Sequence, residues 1–135
     1  MFADDVSVNE GDGPANTSVT IRLSEASSQP VQVNYLLKAE AAIENVDFQA
    51  GSGIVVFQPG ETTKQVPLNI IDDNIDEDPE GMFLTLSFPQ NANISDGSAK
   101  ILIFDNDPPP TISINDISVT EGNSGESSAT FTVSL

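Results

Sequence analysis

The chain has no cysteine, no histidine and no tryptophan, and only 4 basic residues among 135. Without thiolate or imidazole, the usual zinc and copper sites cannot form. Cys–His and Ser–His–Asp catalysis are excluded for the same reason. The scarcity of Lys and Arg leaves 21 acids facing 4 bases, a formal net charge of −17. Nucleic-acid phosphates and anionic membrane surfaces would repel such a chain. No apolar run approaches the ~18 residues of a membrane-spanning helix, so direct membrane insertion is not expected. No signal peptide is evident, and Met1 reads as the start of an excised piece. The absence of disulfides does not fix a compartment; an extracellular or cell-surface setting is the expectation.

What is present favours strands. Apolar residues make up 38% of the chain, and most are Val, Ile, Leu and Phe, types that suit a pleated surface. Short stretches alternate apolar and polar residues between Gly, Pro, Asn and Asp, the pattern of an all-β antiparallel sandwich. Seven strands are predicted, at 5–9, 17–24, 31–38, 53–58, 64–71, 81–88 and 98–104. Val19, Ile21 and Leu23 share one face of the second; Val66, Leu68 and Ile70 share one face of the fifth. Phe48, Phe57, Phe83, Phe88 and Phe104 are read as core. Ala39 to Glu44 is read as loop, being too short for an independent helix. Pro108 to Pro110 cannot join a ladder and reads as a stiff linker.

An internal repeat follows that linker. DVSVNEG, from Asp5 to Gly11, recurs as DISVTEG with Asp116 in place of Asp5, an offset of 111 residues. A second alternating stretch follows, with Ala129, Phe131, Val133 and Leu135. The expected organisation is one complete sandwich over 1–107, a linker at 108–110, and the first two strands of a truncated second copy over 111–135.

The acids are not spread evenly. If each strand reverses the last, the first, third, fifth and seventh all run toward one end of the sandwich. Glu10 follows the first and Asp47 lies beyond the third. The run from Asp72 to Glu80 follows the fifth, and Asp105-Asn106-Asp107 follows the seventh. The opposite end carries mainly Glu25, Glu61 and Asp96, one per loop. Two carboxylates ~5 Å apart repel by roughly 3 kcal/mol at an effective dielectric near 20. A hard divalent cation removes that cost. Calcium takes 6–8 oxygen ligands in irregular geometry and suits such a crowd better than magnesium. An EF-hand loop is excluded, because its sixth position would be Glu77 rather than Gly and its twelfth Phe83 rather than Glu. Blander readings stand beside the metal one. The 72–80 run and the 105–107 strand end could be solvated, Glu10-Gly11 a turn, and Asp47 a turn cap. Asp12, Asp76 and Asp78 are read as surface charges, or at most as residues around the ligands rather than among them. Asn16-Thr17-Ser18 and Asn93-Ile94-Ser95 fit the N-glycosylation pattern, which short sequences meet by chance.

Several segments together resemble the Calx-β domain, a family named from sodium–calcium exchangers and also found in tandem in bacterial surface proteins. They are Val8 to Gly11, Pro30 to Tyr35, Val46-Asp47-Phe48, Phe57 to Thr62, Ile71-Asp72-Asp73 with Glu77 and Glu80, and Ile103 to Asp107. The resemblance implies a seven-stranded immunoglobulin-like sandwich with several calcium ions clustered at one end. It implies side-chain ligands at Glu10, Asp47, Asp72, Asp73, Glu77, Glu80, Asp105 and Asp107. Asn106 stands where many members have Asp, as a weaker ligand or through its backbone. Ile75 stands where the family uses a backbone carbonyl.

The leading expectation is a calcium-stiffened structural or interaction module of an extracellular repeat protein, partnered by neighbouring modules, with its ions beside the linker. A glycosidase with paired carboxylates fits poorly, since the acids are too many and too close to strand ends; the chain is not expected to be an enzyme. Two alternatives are a calcium sensor and an adhesion module. The latter would self-associate by strand exchange through 111–135, where unpaired strand edges invite a second chain.

Overall fold

A computed structural model describes residues 1–11 and 17–135. In chain order the strands are β1 (Phe2–Ala3), β2 (Val6–Asn9), β3 (Ser18–Arg22), β4 (Val31–Ala39) and β5 (Ser52–Phe57). They continue with β6 (Thr63–Pro67), β7 (Glu80–Gln90), β8 (Ser98–Phe104), β9 (Ser113–Ile114) and β10 (Val133–Ser134). One sheet has the order β1-β3-β6 and the other β2-β8-β7-β4-β5. Alternation sends Val19, Ile21 and Val66 of the smaller sheet into one core with Val33, Leu84 and Ile101 of the larger. Burying each such side chain contributes about 1.5–3 kcal/mol.

The expected first strand, 5–9, forms as β2 at Val6–Asn9, and a short strand not expected, β1, precedes it. Phe2 and Ala3 pair with Arg22 and Ile21 in the small sheet. Val6 to Asn9 then run parallel to β8, with Val8 opposite Ile103. Two acids hold the crossing. Asp4 accepts from Arg22 Nε at 2.7 Å, and Asp5 accepts from the Lys100 amide at 2.7 Å. The sandwich is therefore not antiparallel throughout. Strand parity explains the exception: first and last strands point the same way, so they are parallel once they become neighbours.

The fifth predicted strand is shorter than 64–71. Pro67 has no amide to donate, and β6 ends there. Leu68 stays fully buried, and Ile70 makes an isolated antiparallel bridge to Phe48. The loop expected over 39–44 starts one residue later, since Ala39 still pairs with Met82 as the last residue of β4; the amides of Glu40, Ala41 and Ala42 all donate to the Gly81 carbonyl.

The aromatic expectation divides. Phe48 and Phe57 are core, each 1% exposed, but Phe88 is 78% exposed and Phe104 is 37% exposed. The cause at Phe88 is a bulge. Asn34 faces Ser87, while Gln32 faces Gln90, so β7 carries an extra residue there. One extra residue reverses the side-chain alternation. Phe88 takes up the irregularity with a φ of 50°.

Candidate metal centre

β2 and β8 end side by side, because they are parallel and the Glu10 amide donates to the Phe104 carbonyl at 3.0 Å. That pairing delivers Glu10 and Asp105 to the same end of the sandwich. The 43–48 loop reaches the same end. Asp47 closes a tight turn there, its carboxylate accepting from the Ile43 amide and its own amide donating to the Ile43 carbonyl. Its carbonyl accepts from the Ile71 amide at 2.9 Å, which brings Asp72 and Asp73 alongside.

The 72–80 segment is anchored by carboxylate–amide contacts. Asp73 accepts from the Ile75 amide at 2.7 Å, and Asp105 accepts from the Glu77 amide at 2.9 Å. Asp105 also accepts from the Asp107 amide at 2.9 Å. These donors hold the Asp105 carboxyl below the usual carboxylate range. Asn106 is a clip. Its Nδ2 donates to the Glu10 carbonyl at 2.8 Å and to Asp72 Oδ1 at 3.2 Å. Gly11 makes room for it: a Cβ there would lie 3.0 Å from Asn106 Nδ2 and 3.1 Å from Asp72 Oδ1.

At the centre, carboxylate oxygens of Glu10, Asp73 and Asp107 lie within 4.8 Å of one another. Glu10 and Asp47 are the buried acids of the described residues, 7% and 4% exposed. Burial first, and then the charges of Asp105, Asp73, Glu77 and Asp47, push Glu10 up from the ordinary 4.5 to about 7. Glu80 is also raised to about 7, first by a hydrogen bond with Asp47, then by burial and neighbouring acids. Burial and the charges of Asp47, Asp73 and Asp105 raise Glu77. Burial and the charges of Asp105, Asp72, Asp73 and Asp76 raise Asp107.

Asp107 Oδ2 is buried with no hydrogen-bond partner among the described residues. A buried carboxylate oxygen without a donor or cation is costly. Among the described residues the charges that act on it are those of Asp105, Asp72, Asp73 and Asp76, an oxygen set that fits a hard cation.

The structure therefore brings the sequence-predicted acids to one end in two linked groups. Glu10, Asp73 and Asp107 form the first, with Asp72, Asp105 and Asn106 bonded to it. Asp47 and Glu80 form the second, with Glu77 between. Ile75 is 61% exposed on the loop, its amide committed to Asp73. Asp76 is closer to the site than a plain surface charge, since its field acts on Asp107. Asp12 and Asn16 lie outside the described residues. Sequence reasoning missed the clip role of Asn106 and the space that Gly11 leaves for it. A Gly directly after the buried Glu was the available signal.

Residues 1–107 match the Calx-beta domain family. The chain belongs to that family. This Calx-beta domain is 34% identical over 97 residues to the adhesion G-protein coupled receptor V1 of Danio rerio, covering 70% of this chain and 2% of the receptor. It is 36% identical over 77 residues to the human sodium/calcium exchanger 2, covering 57% of this chain and 8% of the exchanger. It thus spans a small fraction of either relative. Among solved structures it resembles the apo-form Calx CBD1 domain, with TM-score 0.70, 23% identity, and coverage of 79% of this chain and 100% of that one. It also resembles the calcium binding domain CBD12 of CALX1.1, with TM-score 0.73, 22% identity, and coverage of 90% and 54%. At that identity the likeness establishes the sandwich fold.

Proposed function

We propose that this Calx-beta domain binds calcium at the carboxylate end of the sandwich and acts there as a binding module rather than an enzyme. The single observation that carries the reading is Asp107 Oδ2, buried and without a hydrogen-bond partner among the described residues, in a residue of the 4.8 Å carboxylate group. A cation there supplies the missing partner and offsets both the burial and the neighbouring charges that raise Glu10. Two carboxylate groups support more than one ion, with Glu10 acting on both through its interactions with Asp105 and Asp47. The proposed ligand set is Glu10, Asp47, Asp72, Asp73, Glu77, Glu80, Asp105 and Asp107, joined by the Ile75 carbonyl and by Asn106.

The site lies at the end of β8, directly before Pro108-Pro109-Pro110. Ions held by Asp105 and Asp107 fix the strand end from which the linker leaves. This makes the domain a calcium-stiffened element of a longer chain in an extracellular or cell-surface setting, with neighbouring modules as partners.

The test is calcium titration by calorimetry, with melting curves in calcium and in chelator. Heat of binding and a rise in Tm are expected. No heat and no Tm shift at millimolar calcium would overturn the proposal.

A further inference from the structure

Strand β5 is an open edge of the five-stranded sheet, with β4 on one side and no strand on the other among the described residues. The Leu37 amide donates to the Gly51 carbonyl at 2.8 Å, which fixes the phase of the β4–β5 ladder. Bonded pairs alternate along an antiparallel ladder. Gly53, Val55 and Phe57, facing Tyr35, Val33 and Val31, therefore turn their backbone groups to β4. Ser52, Ile54 and Val56 turn theirs outward, where no backbone hydrogen bond meets them among the described residues.

Open edges are normally blunted by a charge, a proline or a bulge. The edge strand of the smaller sheet, β6, carries Lys64 and ends at Pro67. At the far edge of the larger sheet, β2 is flanked by Asp5 and Glu10. β5 has none of these devices. Its sequence is SGIVVF, and its register to β4 is unbroken. No charged residue or proline falls between Asp47 and Pro59, in a chain of net charge −17. Ile54 is 62% exposed, and Leu36, diagonal to it on β4, is 50% exposed.

We propose that two copies of this chain pair through β5, antiparallel and two-fold about Ile54. That register sets Ser52 against the second copy's Val56 and Ile54 against the second copy's Ile54. Every outward N–H and C=O then finds a partner. Centring on Gly53 or Val55 would instead set Val56 against Ala50 or Ser52 against Gln58, beyond the strand. The facing Ile54 side chains and the diagonal Leu36 of each copy form one apolar strip across the seam. Charge selects the direction. β5 follows the 43–48 loop at the carboxylate end and runs away from it. Antiparallel pairing sends the two acidic clusters to opposite ends, about 20 Å or more apart for a strand of 6 residues. Screening at 0.15 M salt acts over about 8 Å, so the clusters barely repel across that distance. Parallel pairing would set them side by side. The inference does not depend on the calcium reading.

The full chain at physiological ionic strength tests this. Sedimentation should show the mass rising from one copy toward two between micromolar and millimolar concentration. The chain has no cysteine, so disulfide trapping has no background. Ile54→Cys should oxidise to a linked dimer, since a bonded antiparallel pair lies within disulfide range. Leu36→Cys is one strand inside the edge on each copy, about 14 Å from its mate, and should not. Ile54→Lys sets like charges opposite each other at the seam. Ser52→Pro removes one outward N–H at the first residue of the strand, where the β4 ladder needs none. Both variants should keep the parent melting transition and sediment as monomers throughout the range; if one loses the transition, the other decides. A parent chain that stays monomeric at millimolar concentration would overturn the proposal, and so would equal trapping of the two cysteine variants. Association that survives both Ile54→Lys and Ser52→Pro would also overturn it, moving the contact to another surface.

Discussion

Asp107 and Glu10 have opposite requirements with and without a cation. In calcium-free protein both are crowded by like charge, so neutralising either should stabilise the fold. Asp107→Asn and Glu10→Gln are each expected to raise Tm in chelator. In calcium each should weaken binding by about tenfold or more, roughly 1.4 kcal/mol. A variant that loses Tm in chelator and binds calcium normally would identify its residue as a structural carboxylate. The pH dependence has a definite sign. Glu10 and Glu80 titrate near 7 in the fold against an ordinary value of 4.5. Their raised values favour the protonated folded form. That stability is fully present below about 4.5 and is lost as pH rises through about 7. Calcium-free Tm should therefore fall between about pH 5 and pH 8, and saturating calcium should remove the fall. Near neutral pH, binding should release protons, visible as a heat that varies with the buffer's ionisation enthalpy.

At the scale of elements, Gly11 and Phe88 sit in the same backbone region for different reasons. Gly11 has φ 74°, and a Cβ there would press on the side chains of Asn106 and Asp72. Gly11→Ala should cost about 1–2 kcal/mol from backbone strain and also weaken calcium binding. Phe88 has φ 50° and points to solvent. Phe88→Gly should be neutral or stabilising by up to about 1 kcal/mol. Phe57→Ala, in the core, should cost about 3–5 kcal/mol. Chemical denaturation of the three variants separates these outcomes. The contrast shows what the sequence made legible. Period-two alternation was enough to place Val19, Ile21, Val33 and Leu84 in the core. The parity of strand directions was enough to send four acidic segments to one end. The bulge between the Gln32 and Asn34 pairings was not legible, because Phe88 continues the apolar alternation of Met82, Leu84 and Leu86 without a break. Strand β1 was hidden as well, because two residues are too few to show an alternation. Asp4 and Asp5 look like ordinary strand-start acids, and their role appears only when Arg22 and Lys100 come into reach.

At the scale of the whole molecule, a formal charge of −17 sets two different responses to salt. Monovalent salt screens exposed acids over about 8 Å at 0.15 M and should raise calcium-free Tm gradually. Calcium acting at a built site should do more at equal ionic strength, giving about 2.7 kcal/mol at one hundred times its Kd. Melting curves in potassium chloride and calcium chloride, matched for ionic strength, distinguish a site from an acidic coat. Equal curves would mean that the acids merely repel one another.

The parallel pairing of β2 with β8 has a mechanical consequence. The amino terminus is tied to the β7–β8 loop by the Met1 amine on the Asn93 carbonyl, and the chain leaves β8 at the opposite, carboxylate end. Tension applied through the two termini therefore pulls β2 and β8 along their own length in opposite directions. The Val6–Asn9 ladder to Ile101–Phe104 is loaded in shear, so its bonds must yield together rather than unzip one at a time. This geometry opposes a pull along the axis of the sandwich, and a cation bridging Glu10 and Asp107 would rivet the ladder at its end.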